Sequence, residues 1–93
     1  MRLSETERQI ISQTIHQADA AAAVYLYGSR VEDEAKGGDI DLLVLSQKID
    51  LMKKLDILAQ LHRRLGERKI DLTICPDATR PFAKLAIQSG IRI

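Results

Sequence analysis

Residues 27–44 read YGSRVEDEAKGGDIDLLV, and the way this stretch divides decides the fold. Gly28 and Ser29 follow an apolar run, while Asp39 and Asp41 stand one residue apart at the start of the next. Side chains alternate faces along a strand, so Asp39 and Asp41 project from one face and Ile40, Leu42 and Val44 from the other. Ser29 to Ala35 is expected to form a short helix, with the Gly28 and Ser29 amides at its N-terminus. Unpaired N–H groups and the helix dipole favour an anion at such a place. Lys36, Gly37 and Gly38 form the intervening turn. The stretch therefore reads as a phosphate cradle that closes one strand and faces two carboxylates opening the next.

Upstream, the residues from Ser4 to Ala22 read as a helix. Ser4 and Glu7 are spaced as a capping box, and Ile11, Ile15, Ala18 and Ala22 recur at helical intervals. His16 lies on this helix without a second ligand-type residue at matching spacing, which makes it a surface histidine rather than a metal ligand. Ala23 to Tyr27 has strand composition, with Val24 and Leu26 on one face and Tyr25 and Tyr27 on the other. Tyr27 is read as packing beside the glycine turn, with stacking on a ligand as the alternative.

Downstream, Asp39 to Leu45 forms the second strand and Ser46 to Ile49 a loop. Asp50 caps a helix that runs to Leu65 and stops at Gly66, with Leu51, Leu55, Leu58, His62 and Leu65 on one stripe. His62 is thereby expected at the rim of the core. Lys53, Lys54, Arg63, Arg64, Arg68 and Lys69 form either a solvated basic face or a patch for an acidic partner. Lys69 to Cys75 is the third strand, in which Asp71, Thr73 and Cys75 share a face opposite Ile70, Leu72 and Ile74. Pro81 starts a helix through Ser89, Gly90 ends it, and Ile91 to Ile93 makes a last short strand. The elements run α, β, short α, β, α, β, α, β, an alternation that predicts an α/β (α+β) fold with helices packed on a mixed sheet.

Bulk properties narrow the function. Ninety-three residues with 45% hydrophobic and 29% charged side chains are expected to form a single globular domain, residues 1–93. No apolar run approaches the about 20 residues of a membrane helix, and acidic residues interrupt the N-terminal stretch where a secretory signal would be apolar. A cytoplasmic location is the expectation. Fourteen basic and thirteen acidic residues give a net charge of +1, so no overall footprint for DNA is present. One cysteine, Cys75, excludes an internal disulfide, and a buried position suits it.

Asp71 repeats the pattern of Asp41, a carboxylate one residue into an apolar strand. Three aspartates converging at one place would repel one another, and a divalent cation reverses that by favouring the ionised form. Mg²⁺ takes hard oxygen ligands, and two such ions about 3.5–4 Å apart can hold both oxygens of an in-line displacement. Walker-type, GxGxxG and HExxH sequences are absent. The plain alternative makes Gly28 a turn glycine, Asp39 a strand-start residue and Asp41 an exposed edge residue.

The sequence YGSRVEDEAKGGDIDLLV, followed by KIDLTI and PFAKLAIQSGIRI, resembles the minimal nucleotidyltransferases of the DNA polymerase beta superfamily over nearly the whole chain. The resemblance implies the nucleotidyltransferase fold of that superfamily. It also implies that Gly28 and Ser29 bind the nucleotide's terminal phosphates, and that Asp39, Asp41 and Asp71 hold two Mg²⁺ ions, with Asp71 helping to deprotonate the attacking hydroxyl. Arg30 matches the arginine that commonly follows Gly-Ser, where it contacts phosphate or pairs with Glu32 or Glu34. Asp33 and Glu34 depart from the small residues usual in that spacer. ATP is the implied substrate, and the implied partner is an all-helical HEPN-domain toxin in a hetero-oligomer. The chain would act as antitoxin by transferring AMP to a tyrosine hydroxyl of the toxin. A non-catalytic antitoxin that keeps the fold, and an antibiotic adenylyltransferase, are the alternatives.

Overall fold

The computed structural model describes residues 3–28, 40–66 and 68–93. Its elements are α1 (Glu5–Ala18), β1 (Ala23–Tyr27), β2 (Ile40–Leu45), α2 (Leu51–Leu65), β3 (Ile70–Cys75), α3 (Pro81–Ser89) and β4 (Ile91–Arg92). The short helix expected over Ser29–Ala35, the turn at Lys36–Gly38, and Ser29, Arg30 and Asp39 lie outside the described residues.

The strands form one mixed sheet in the order β3-β2-β1-β4. β1 pairs antiparallel with β2 and with β4, whereas β2 and β3 run parallel and are joined through α2. Parallel neighbours need such a crossover because one strand ends at the end of the sheet opposite to where the next begins. Beyond Arg92, the Ile93 N–H still donates to the Val24 carbonyl at 2.9 Å. Alternation along the strands then separates two cores. Val24 and Leu26 of β1, Ile40, Leu42 and Val44 of β2, and Leu72 of β3 pack against Ile11 and Ile15 of α1 and Ile57 and Leu61 of α2. On the opposite face Leu43 and the buried Cys75 meet Ala83 and Ala86 of α3, with Tyr25, Tyr27 and Ile87 around them. Each fully buried aliphatic side chain in the larger core contributes about 1.5–3 kcal/mol relative to exposure.

Helix ends follow the local chemistry where that chemistry is local. Ser4 and Glu7 form the reciprocal capping box, and the Asp50 side chain accepts from the Lys53 N–H at 2.9 Å. Gly66 ends α2 with φ of 88°, a conformation that a side chain disfavours.

α1 is the exception: it was expected to reach Ala22 but stops at Ala18, because Asp19 is extended and its carboxylate takes other partners. One oxygen accepts from the Ala21 N–H at 3.0 Å and the other from the Ser46 hydroxyl at 2.6 Å, so the side chain competes with the helix for the backbone. His16 is not a surface histidine either. It is half-buried, with its ring nitrogens bonded to the Ser12 hydroxyl at 3.1 Å and the Ala22 carbonyl at 2.9 Å.

α2 also corrects its expected stripe. Its buried face is Ile57 and Leu61, flanked by Leu58 and Leu65, while Leu51, Met52 and Leu55 are 68, 73 and 51% exposed and His62 is exposed. Leu55 is two residues from the buried Ile57, about 200° around the helix, so the exposed leucines lie off the face that meets the core. Two of the six basic residues have partners on α1. Arg68 pairs with Glu7, and Arg64 donates to the Thr14 hydroxyl at 3.4 Å, so both tie the end of α2 to α1.

Candidate active site

The β1-β2-β3 register aligns three residues in a row. Tyr27 is opposite Asp41, and Asp41 is opposite Asp71. In-register neighbours present their side chains on the same face with strands about 4.8 Å apart. Both carboxylates therefore rise side by side from the face that carries α3, at the end where β2 and β3 begin. Asp41 lies on an interior strand and is half-buried, while Asp71 lies on the edge strand and is exposed. The alternative that made Asp41 an exposed edge residue is thus overturned.

Gly28 follows Tyr27 directly, and its backbone is placed where only glycine fits. Its φ is +76°, and a Cβ there would lie 2.6 Å from Asp41 Oδ2. The chain turning out of β1 is consequently held against the Asp41 carboxylate. Ser29, Arg30 and Asp39 flank this point in sequence but lie outside the described residues. Of the residues expected at the site, the structure brings together Gly28, Asp41 and Asp71.

Tyr27 completes the row. Burial raises the pKa of its phenol. A side-chain hydrogen bond with Thr73 acts in the opposite direction, and the charges of Asp41 and Asp71 add to the rise. The hydroxyl is thus a neutral group that senses both carboxylates. Its ring meets Phe82 edge to face, with centroids 5.5 Å apart and planes at 84°. Phe82 and Thr73 had not been expected at the site. A usable signal for Phe82 was that it is the one phenylalanine of an aromatic-poor chain and stands just inside a helix start.

The donor set suits a hard cation. Two carboxylates placed against one another on one face offer the oxygen ligands that Mg²⁺ selects, and a cation offsets their mutual repulsion. Among the described residues no group of three or more His, Cys, Asp or Glu side chains forms a metal cage; the third expected carboxylate, Asp39, lies outside them. At the opposite end of the sheet a groove opens beside Ser46, Ile49, Leu51, Lys54, Ile74 and Pro76. It contains no comparable pair of acids. Among the described residues no helix is long and apolar enough to cross a membrane.

Comparison with known families adds an independent observation. Residues 9–93 match the family model described as "Polymerase beta, Nucleotidyltransferase". No curated protein matches the sequence.

Proposed function

The chain belongs to the polymerase beta nucleotidyltransferase family, and from that premise we propose that it is an Mg²⁺-dependent nucleotidyltransferase that transfers AMP from ATP to a tyrosine hydroxyl of a partner protein. Residues 1–93 act as one minimal nucleotidyltransferase domain. The partner is an all-helical HEPN-domain toxin, with which this chain forms a hetero-oligomer in the cytoplasm and serves as antitoxin. The observation that carries the reading is the Asp41–Asp71 pairing across β2 and β3, with Gly28 against the Asp41 carboxylate.

Asp41 and Asp71, with Asp39, would hold the Mg²⁺ ions, which when bound neutralise phosphate charge and polarise the phosphoryl oxygens. The residues of the chain supply position and proton transfer. Gly28 and Ser29 bind the terminal phosphates through backbone N–H groups, and Arg30 adds a cation there. The acceptor oxygen attacks the α-phosphorus as the bond to the bridging oxygen of pyrophosphate breaks, and the leaving pyrophosphate takes the bonding electron pair. Asp71, exposed at the edge strand, accepts the proton from the acceptor hydroxyl.

The test is transfer of label from α-labelled ATP to the protein encoded beside this one, with Mg²⁺ present. Asp41→Asn/Asp71→Asn is expected to lower transfer by about a hundredfold or more. Equal labelling by the double variant would overturn the catalytic role of the pair. Toxin suppression that survives in that variant, without labelling, would establish a masking antitoxin instead.

A further inference from the structure

The three aromatic residues of the chain, Tyr25, Tyr27 and Phe82, lie on the sheet face that bears Asp41 and Asp71. Tyr25 and Tyr27 are half-buried against α3. Phe82 is different: it packs on Tyr27 and yet remains 46% exposed. Leu85, one helical turn further along α3, is 63% exposed and extends the same apolar surface. A large apolar ring left in water beside a polar site is the informative case, whereas a buried one would be explained by packing alone.

Its position gives the ring a ligand. Tyr27, which supports Phe82, is the in-register neighbour of Asp41, and Asp41 that of Asp71. A nucleotide whose phosphates lie at the aspartates therefore has an exposed aromatic surface one side chain away. We infer that Phe82, held edge-on by Tyr27, is the platform on which the base of the bound nucleotide stacks. This rests on the nucleotidyltransferase reading and adds the subsite for the base, which that reading leaves open.

The chemistry predicts a permissive subsite. Every base has a π-face, so stacking tolerates base identity and favours the larger ring system. Phe82 offers no hydrogen-bonding group to read base edges. ATP and GTP are expected to gain alike from this contact, and CTP and UTP less.

The experiment measures binding by calorimetry to the full chain in Mg²⁺, comparing ATP with tripolyphosphate, which has the phosphates but no base. Phe82→Leu keeps apolar cover over Tyr27 and removes the π-face, and Phe82→Trp keeps both. Phe82→Leu is expected to weaken ATP about tenfold and leave tripolyphosphate unchanged, with Phe82→Trp close to the native protein. Phe82→Leu that binds ATP like the native chain, or that loses ATP and tripolyphosphate equally, overturns the inference. The first of these outcomes would assign the exposed ring to a protein contact. Failure of the underlying reading is a separate result: the native chain would bind neither ligand, or would bind both without change in Asp41→Asn/Asp71→Asn.

Discussion

Asp19, where β2 ends and β1 begins, and the pair Asp41 and Asp71, where β2 and β3 begin, show one residue type in two circumstances. Asp19 is buried and faces donors. Its oxygens accept from the Ser46 hydroxyl and the Ala21 N–H, while the Ser46 oxygen in turn accepts from the Lys48 and Ile49 N–H groups at 3.1 Å. Asp41 and Asp71 are placed side by side on neighbouring strands by the register of β2 with β3. A carboxylate surrounded by donors closes a junction, and its charge is satisfied within the protein. Two carboxylates in register on neighbouring strands also act on each other, and a cation bound between them would relieve that repulsion.

The contrast breaks most severely at Gly28. A Cβ at that position meets Asp41 Oδ2, and the φ of +76° is unfavourable for any L side chain. Gly28→Ala is expected to cost about 1–2 kcal/mol from the backbone alone, with a further loss of nucleotide binding as Asp41 is pushed aside. Urea unfolding and ATP calorimetry on the same preparation check both parts. A variant with native stability and binding would show that the close approach is unimportant.

A smaller effect is expected at the donor-rich end. Ser46→Ala removes the bond to Asp19 and leaves the Lys48 and Ile49 N–H groups without that acceptor, lowering Tm by about 5 °C or more, with little change in ATP binding. The effect depends on pH. The Ser46 hydrogen bond, then the Ala21 N–H, holds the Asp19 pKa below its ordinary value. A depressed carboxylate contributes stability that is complete above its unfolded pKa of about 3.9 and disappears as pH falls through the folded value. In that window the unfolded chain binds more protons, so stability rises with pH. The gap in Tm between native protein and Ser46→Ala should therefore be widest near neutrality and narrow as pH falls below about 4. A gap constant with pH would remove Asp19 from the explanation.

The same contrast explains how much could be read in advance. The strand faces, the capping box at Ser4 and Glu7, and the caps at Asp50 and Gly66 depend on neighbours within a few residues, and they lie where the pattern indicates. The end of α1 does not, because Asp19 bonds to Ser46, 27 residues away, and the helical spacing of Ala18 and Ala22 carries no trace of that contact. On α2, Leu51 and Leu55 had the right period for a core stripe. Which side of an amphipathic helix is buried depends on what packs against it, and here Ile57 and Leu61 rather than Leu51 and Leu55 face the core. Asp41 and Asp71 were legible as similar positions on separate strands, but their adjacency required the parallel register of β2 with β3. Phe82 came to the site only through the packing of α3 on Tyr27.

The central claim is that Asp41 and Asp71 form a cation site, and thermal unfolding of the full chain titrated with Mg²⁺ in the presence of ATP measures it most directly. A ligand that binds the folded state raises stability by mass action. The native Tm is expected to climb with Mg²⁺. The Tm of Asp41→Asn/Asp71→Asn should stay flat as Mg²⁺ is added. A double variant whose Tm rises with Mg²⁺ as steeply as that of the native chain would contradict the claim.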